Sequence, residues 1–155
     1  MIRSVLVAST LLLASHTAVA QSNAVVEVQA HGSFDDIKQM LLLAIENRGL
    51  VVSHQSPVGE MLERTGKDIG AAKRIYERAE LVEFCSATLS RQVMEADPRL
   101  LALCPFGIGI YVLPQERAVV HLVYRKPPVE QAGAVAEALK QVERLLYEIV
   151  QEASQ

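Results

Sequence analysis

Over residues 25–30 apolar and polar positions alternate, with Val26, Val28 and Ala30 on one side. That period of two belongs to a strand with one buried face. Gly32 breaks the alternation, and Ser33, followed three residues later by Asp36, has the form of a capping box. Phe34, Ile37, Leu41, Ala44 and Ile45 then fall at helical spacing, and Gly49 suits the left-handed residue that closes a helix. Residues 50–53 predict a second short strand and residues 81–85 a third. Ser86 can cap a helix running to about Ala96, with Leu89 and Val93 on one side. Asp97-Pro98 is a turn signal. Phe106, Ile108, Ile110 and Val112 alternate with Gly107, Gly109 and Tyr111. This is a strong strand, and its two glycines imply close approach of another group to one face. Residues 114–117 make a tight connection to a strand over 119–124, so these two strands form a hairpin. Pro127-Pro128 opens the longest helix, whose apolar stripe is Val135, Leu139, Val142, Leu146 and Ile149.

Residues 57–79 carry the weakest pattern. Val58, Met61 and Leu62 predict one or two helical turns starting near Pro57. Gly66 and Gly70 interrupt them, residues 66–74 read as a surface loop, and Ile75, Tyr76 and Ala79 predict a further turn. The whole succession is strand, helix, strand, irregular segment, strand, helix, strand, strand, helix. It predicts an α+β fold, with an antiparallel sheet and helices covering one face.

The N-terminus reads as a secretory signal peptide. Arg3 precedes an apolar run of roughly ten residues, and Ala18-Val19-Ala20 supplies the small-x-small cleavage pattern. The run is well short of the ~20 residues that span a bilayer, and no cysteine follows the cut to take a lipid. Residues 1–20 are therefore expected to be removed. A single α+β domain over 21–155 is expected in the periplasm or outside the cell. The formal net charge of −3 becomes one unit more negative without Arg3, which argues against nucleic acid as a partner. No later segment is apolar enough to insert in a membrane. The chain has no Trp and only 5% aromatic residues, which removes the stacking platforms used for sugars or single strands.

The stretch Ala79-Glu80-Leu81-Val82-Glu83-Phe84-Cys85, then Asp97-Pro98, then Leu103-Cys104-Pro105 leading into the strand over 106–113, resembles the bacterial domain-of-unknown-function 302 family. The helix from Phe34 to the closing Gly49 and the segment 58–66 fit the opening half of that family, and the signal peptide would make this an exported member. The resemblance covers roughly 25–126, with the C-terminal helix completing the unit. It implies a small domain of the TATA-binding-protein-like type, in the order β-α-β4-α. It brings no established activity, so it implies no catalytic residues. Two local departures are present. Ser86-Ala87 follows Cys85 where the family usually has Asn-Pro, and Cys104 precedes Pro105 where the family's second cysteine follows its proline.

Cys85 and Cys104 are the candidate thiol or disulfide residues. In an oxidising compartment two cysteines most often pair, and closing a loop of about twenty residues would contribute roughly 3 kcal/mol in the chain-entropy account. A second reading is redox chemistry, since Cys85 lies just before a helix N-terminus that would stabilise a thiolate; there is, however, no Cys-x-x-Cys. A third is a soft ion such as Cu(I), held by the two thiolates with His54, His121 or Met94. His31, His54 and His121 are not at ligand spacing from one another, and Met94 reads as core. His121 alternates out of phase with Val120, Leu122 and Tyr124, which predicts exposure on the other strand face. Gly107, Gly109 and Tyr111 are the candidate ligand-binding residues, for a small apolar ligand lying over a flattened strand face. The alternative use of the glycines is a bend or close packing against a helix.

Arg64, Lys67, Lys73, Arg74 and Arg78 interleave with Glu63, Asp68 and Glu77, a solvated mixed-charge face rather than an anion site. Asp35 and Asp36 are carboxylates favoured at a helix N-terminus. Glu80 and Glu83 fall on opposite strand faces and make a poor acid–base pair. The expected function is a non-enzymatic binding or interaction module stapled by Cys85 and Cys104, with no cofactor and with an unidentified small ligand or periplasmic protein as partner. The alternative is a thiol-based redox or copper-handling protein using the same two residues.

Overall fold

The structure, a computed structural model, describes residues 24–71 and 73–155. The expected signal peptide lies outside the described residues. Five strands form one antiparallel sheet: β1 (Val25–His31), β2 (Val51–Ser56), β3 (Arg78–Cys85), β4 (Phe106–Val112) and β5 (Val119–Arg125). Their spatial order is β1-β5-β4-β3-β2, so the first strand pairs with the last and the two edges are β1 and β2. Four helices connect or follow them: α1 (Phe34–Glu46), α2 (Val58–Asp68), α3 (Ala87–Ala96) and α4 (Gly133–Ala153). The expected antiparallel α+β architecture is present, and the β-α-β4-α order is followed, with α2 and α3 inserted between consecutive strands.

Alternation along the strands decides the two faces. Ala30, Val82, Phe84, Ile108, Ile110, Val120, Leu122 and Tyr124 are buried on one side. Leu41 and Ile45 of α1, Leu89 and Val93 of α3, and Val142, Leu146 and Ile149 of α4 close over them in one cluster. Phe84 and Phe106 meet there edge to face at 6.1 Å. The intervening residues Leu81, Gly107, Gly109, Tyr111 and Val123 are half-buried on the opposite face. No helix among the described residues is long and apolar enough to cross a membrane.

Helix ends follow local chemistry. The Ser33 hydroxyl accepts from the Asp36 amide at 3.1 Å, the N-cap half of the box expected at α1, and donates to the Asp36 carboxylate at 2.6 Å. Ser86 caps α3 through the Leu89 amide. Asp97 does more than turn the chain: its carboxylate accepts from the Arg99 amide at 2.9 Å and starts a 3-10 helix over Pro98–Leu103.

Boundaries differ from expectation at four places, the first being β2, which runs to Ser56 where a strand over 50–53 was expected. α2 runs three turns and passes through Gly66, where a loop from 66 was expected. The expected turn over Ile75, Tyr76 and Ala79 is instead the approach to β3, because Arg78 and Ala79 pair with Val112 and Tyr111. α4 begins at Gly133 rather than at Pro127-Pro128. There the Val129 amide bonds back to the Pro127 carbonyl at 2.9 Å, a tight turn that uses up the prolines before the helix starts.

Candidate functional site

The two cysteines meet at one end of the sheet. Cys85 is the last residue of β3, and Cys104 follows the 3-10 helix and leads through Pro105 into β4. Because β3 and β4 are antiparallel, the end of one lies beside the start of the other, with Phe84 opposite Phe106. The cysteines come within 4.1 Å of each other as free thiols. The Ser90 hydroxyl of α3 lies 3.0 Å from the Cys104 sulfur. Burial pushes the Cys85 thiol above its ordinary value, and Cys104 and Glu83 beside it push the same way. His54 shares a register position with Glu83 on the edge strand β2. Among the described residues no three His, Cys, Asp or Glu side chains converge as a metal cage.

Next to this junction is a groove of ≈460 Å³ that runs from Leu81, Gly107, Gly109 and Val123 on the open face round the sheet end to Phe106, Tyr124, Val142 and Leu146 on the helix side, with Val25, Glu83, Leu103, Pro105 and Arg125 along its rim. Gly107 and Gly109 thus line one cavity. They also make room for neighbours across the sheet. A methyl on Gly107 would sit 3.2 Å from Leu81 Cδ1, and one on Gly109 would sit 2.9 Å from Val123 Cγ2. The close approach implied by the glycines therefore comes from the side chains of β3 and β5.

Tyr111 faces a second, adjoining cavity of ≈590 Å³ with Glu27, Lys73, Arg74, Tyr76 and Gln115; Val25 and Val123 line both. Tyr111 is committed to polar contacts. Its hydroxyl donates to Glu27 Oε2 at 3.0 Å, and its ring stacks on His121 at 4.6 Å with 3° between the planes. Tyr76 packs against its other side at 5.3 Å. Burial, then the bond to Glu27, pushes the Tyr111 phenol up to about 12.

His121 is on the predicted strand face but is not exposed: it retains 3% of its surface. The Tyr111 ring covers it, and two carboxylates flank it. Nδ1 lies 2.9 Å from Glu27 Oε1. A carboxylate only accepts, so Nδ1 carries the hydrogen. That bond is the main reason Glu27 is held below the ordinary carboxylate range. Nε2 is buried without a hydrogen-bond partner, with Glu116 Oε2 of the β4–β5 turn 3.4 Å away.

The hairpin pattern contains part of this cluster, since a turn over 114–117 sets Tyr111 opposite His121. Glu27 arrives from the far end of the chain and has no local signal. The other candidates stand largely as their patterns suggest. Glu80 and Glu83 do face opposite ways, and Glu80 takes Lys38. Asp35 pairs with Arg78 at 2.8 Å besides capping the helix field, and that guanidinium lies 3.9 Å over the Phe34 ring. Arg74 pairs with Glu77, and Lys67 and Arg74 reach Glu63, as in a mixed-charge face. Met94 is half-buried rather than core.

An open antiparallel sheet with helices on one face, a buried polar cluster on the other and a groove that runs from that face round the sheet end to α4 defines a small α+β module. The chain belongs to the family described as domain of unknown function DUF302, which matches residues 26–153. Its fold is similar to the crystal structure of an uncharacterized conserved DUF302 protein from Bacillus stearothermophilus. The TM-score is 0.70 at 16% identity, over 85% of this chain and 99% of that one. No curated protein matches the sequence.

Proposed function

We propose that this protein is an exported, non-enzymatic module that holds a small ligand with an apolar body on the open face of its sheet. The observation that carries this reading is the ≈460 Å³ groove floored by Gly107, Gly109, Leu81 and Val123. Its size and mostly apolar lining suit a small-molecule site, with Glu83 and Arg125 available to orient a polar end. Native mass spectrometry of protein purified from its export compartment tests it, together with titration of an environment-sensitive apolar dye. The expected result is a bound small molecule, or saturable dye binding that Gly107→Val abolishes while the fold is retained. Protein that is empty and takes up no dye would overturn the reading.

Cys85 and Cys104 serve this module as a staple. Their proximity at the β3–β4 junction supports pairing in an oxidising compartment. Native material is then expected to have no free thiol, and reduction to cost about 3 kcal/mol of stability.

The same proximity, with the Ser90 hydroxyl at Cys104, favours a second reading as a thiol-based redox or copper-handling protein. Against it, burial and the neighbouring Cys104 and Glu83 all disfavour the Cys85 thiolate that either chemistry needs. Two free thiols that take up Cu(I) or exchange readily with glutathione would replace the staple with this second reading.

A further inference from the structure

We propose that His121 Nε2 and the Glu116 carboxylate form a binding site for a single divalent transition-metal ion such as Zn²⁺, at the turn end of the open face. The proposal is independent of the apolar groove and of the cysteines. It starts from the one buried side-chain nitrogen that has no hydrogen-bond partner among the described residues. A buried polar atom without a partner carries a desolvation cost of roughly 1–3 kcal/mol, so it calls for an explanation.

The surroundings of the ring are those of a metal ligand. Its other nitrogen, Nδ1, donates to Glu27 Oε1 at 2.9 Å, so in the neutral ring the Nε2 lone pair is the free one. Glu27 is braced in turn by the Tyr111 hydroxyl at 3.0 Å, and the Tyr111 ring stacked at 3° holds the imidazole plane. A carboxylate behind the imidazole of this kind orients a ligating histidine and raises its basicity.

Glu116 supplies the second donor. Its Oε2 lies 3.4 Å from Nε2 and makes no hydrogen bond to it. An ion bound tetrahedrally at about 2.1 Å from a nitrogen and an oxygen separates them by about 3.4 Å. Two donors one ion apart, rather than one hydrogen bond apart, is the arrangement found. The Glu116 side chain retains 52% of its surface, so it can swing outward to admit the ion. With two protein ligands, water fills the remaining positions. Imidazole with carboxylate suits Zn²⁺ and its neighbours better than the soft ions that thiolates select.

The experiment is a Zn²⁺ titration of the full mature protein and of its Cys85→Ser/Cys104→Ser variant, by calorimetry and by the ¹⁵N shifts of the His121 ring. The expected result in the thiol-free variant is one saturable site, with the Nε2 resonance moving on binding. Glu116→Gln on the exposed turn should weaken it at least tenfold, and Glu27→Gln by about 10–100-fold, as for outer-shell carboxylates. Circular dichroism of each variant separates loss of the site from loss of the fold. Absence of a saturable site in the thiol-free protein would overturn the proposal. So would binding that leaves the His121 ring shifts unmoved or is indifferent to Glu116→Gln in a folded variant.

Discussion

Two glycines of α2 should respond in opposite directions to the same substitution. In a helix, Gly→Ala ordinarily gains up to about 1 kcal/mol, because alanine has less backbone freedom to lose. Gly66, in the last turns of α2, has room for the change: a methyl there would have the Ala71 carbonyl at 3.8 Å as an ordinary neighbour. Gly59, in the first turn of α2, does not. Its methyl would sit 2.8 Å from the Ala79 amide nitrogen and 3.3 Å from the Ala79 oxygen. Those atoms belong to β3, which is hydrogen-bonded to β4 at that position, so they cannot yield as a side chain would. Overpacking of this kind costs about 1–3 kcal/mol, which exceeds the propensity gain. Gly66→Ala should therefore be more stable than the parent by about 0.5–1 kcal/mol, and Gly59→Ala less stable by about 1–2 kcal/mol. For a domain of this size that separates their melting temperatures by roughly 6–10 °C. Urea midpoints and thermal melts read both. If Gly59→Ala equals or exceeds the parent, α2 is not seated against β3 at Ala79.

Three further substitutions probe the cap, the sheet and the polar cluster. Ser33→Ala removes the acceptor of the Asp36 amide and should lower stability by about 1 kcal/mol in urea unfolding; an unchanged midpoint would contradict the cap. Gly109→Ala places a methyl 2.9 Å from Val123 Cγ2 and should cost about 1–3 kcal/mol, partly recovered in the double variant with Val123→Ala. Failure of Val123→Ala to restore anything would locate the cost elsewhere. Because the His121 bond holds Glu27 below its ordinary value of 4.5, the stability it contributes is present above that value. That contribution disappears as pH falls through the lowered folded value. Stability measured against pH should fall along that limb in the parent and more gently in Glu27→Gln, whereas parallel curves would unlink Glu27 from folding.

Strands were legible wherever one face is buried outright. β4 alternates buried and half-buried residues without exception, and its sequence carries the same period. α1 and α4 likewise wrote their core stripes into the chain, because both pack directly on the sheet cluster. α2 was legible only at its start: Val58, Met61 and Leu62 carry the helical period, but none of its residues is buried and Gly66 interrupts the pattern, so its length was not. It meets the sheet instead through the absence of a side chain at Gly59. The polar cluster was half-legible. Alternation put Tyr111 and His121 on the face away from the core, and the turn length set them opposite each other. Their burial depends on Glu27, which β1 delivers across the sheet at Val123's register position, and on Glu116 in the turn. Pairing of the first strand with the last is a long-range event that no local period encodes.

The cysteine junction and the groove are joined through the residues between them. Glu83 lies two residues before Cys85, and Leu103 and Pro105 flank Cys104; all three line the groove. A bond between the cysteines would tie the end of β3 to the start of β4 at the groove's rim. It would hold Leu103 and Pro105 against the Leu81 and Gly107 floor and limit the motions open to that wall. A wall held in place before binding loses less freedom when the ligand arrives. Reduction of oxidised protein should then weaken binding of an apolar probe in the groove while the far cluster at His121, on the other end of the same face, keeps its geometry. The comparison needs two readouts on one sample: probe affinity, and the ring shifts of His121 as the report on the distant end. Equal probe affinity before and after verified reduction would separate the cysteines from the groove. Loss of both readouts together would mean that reduction unfolds the sheet rather than loosening one rim of it.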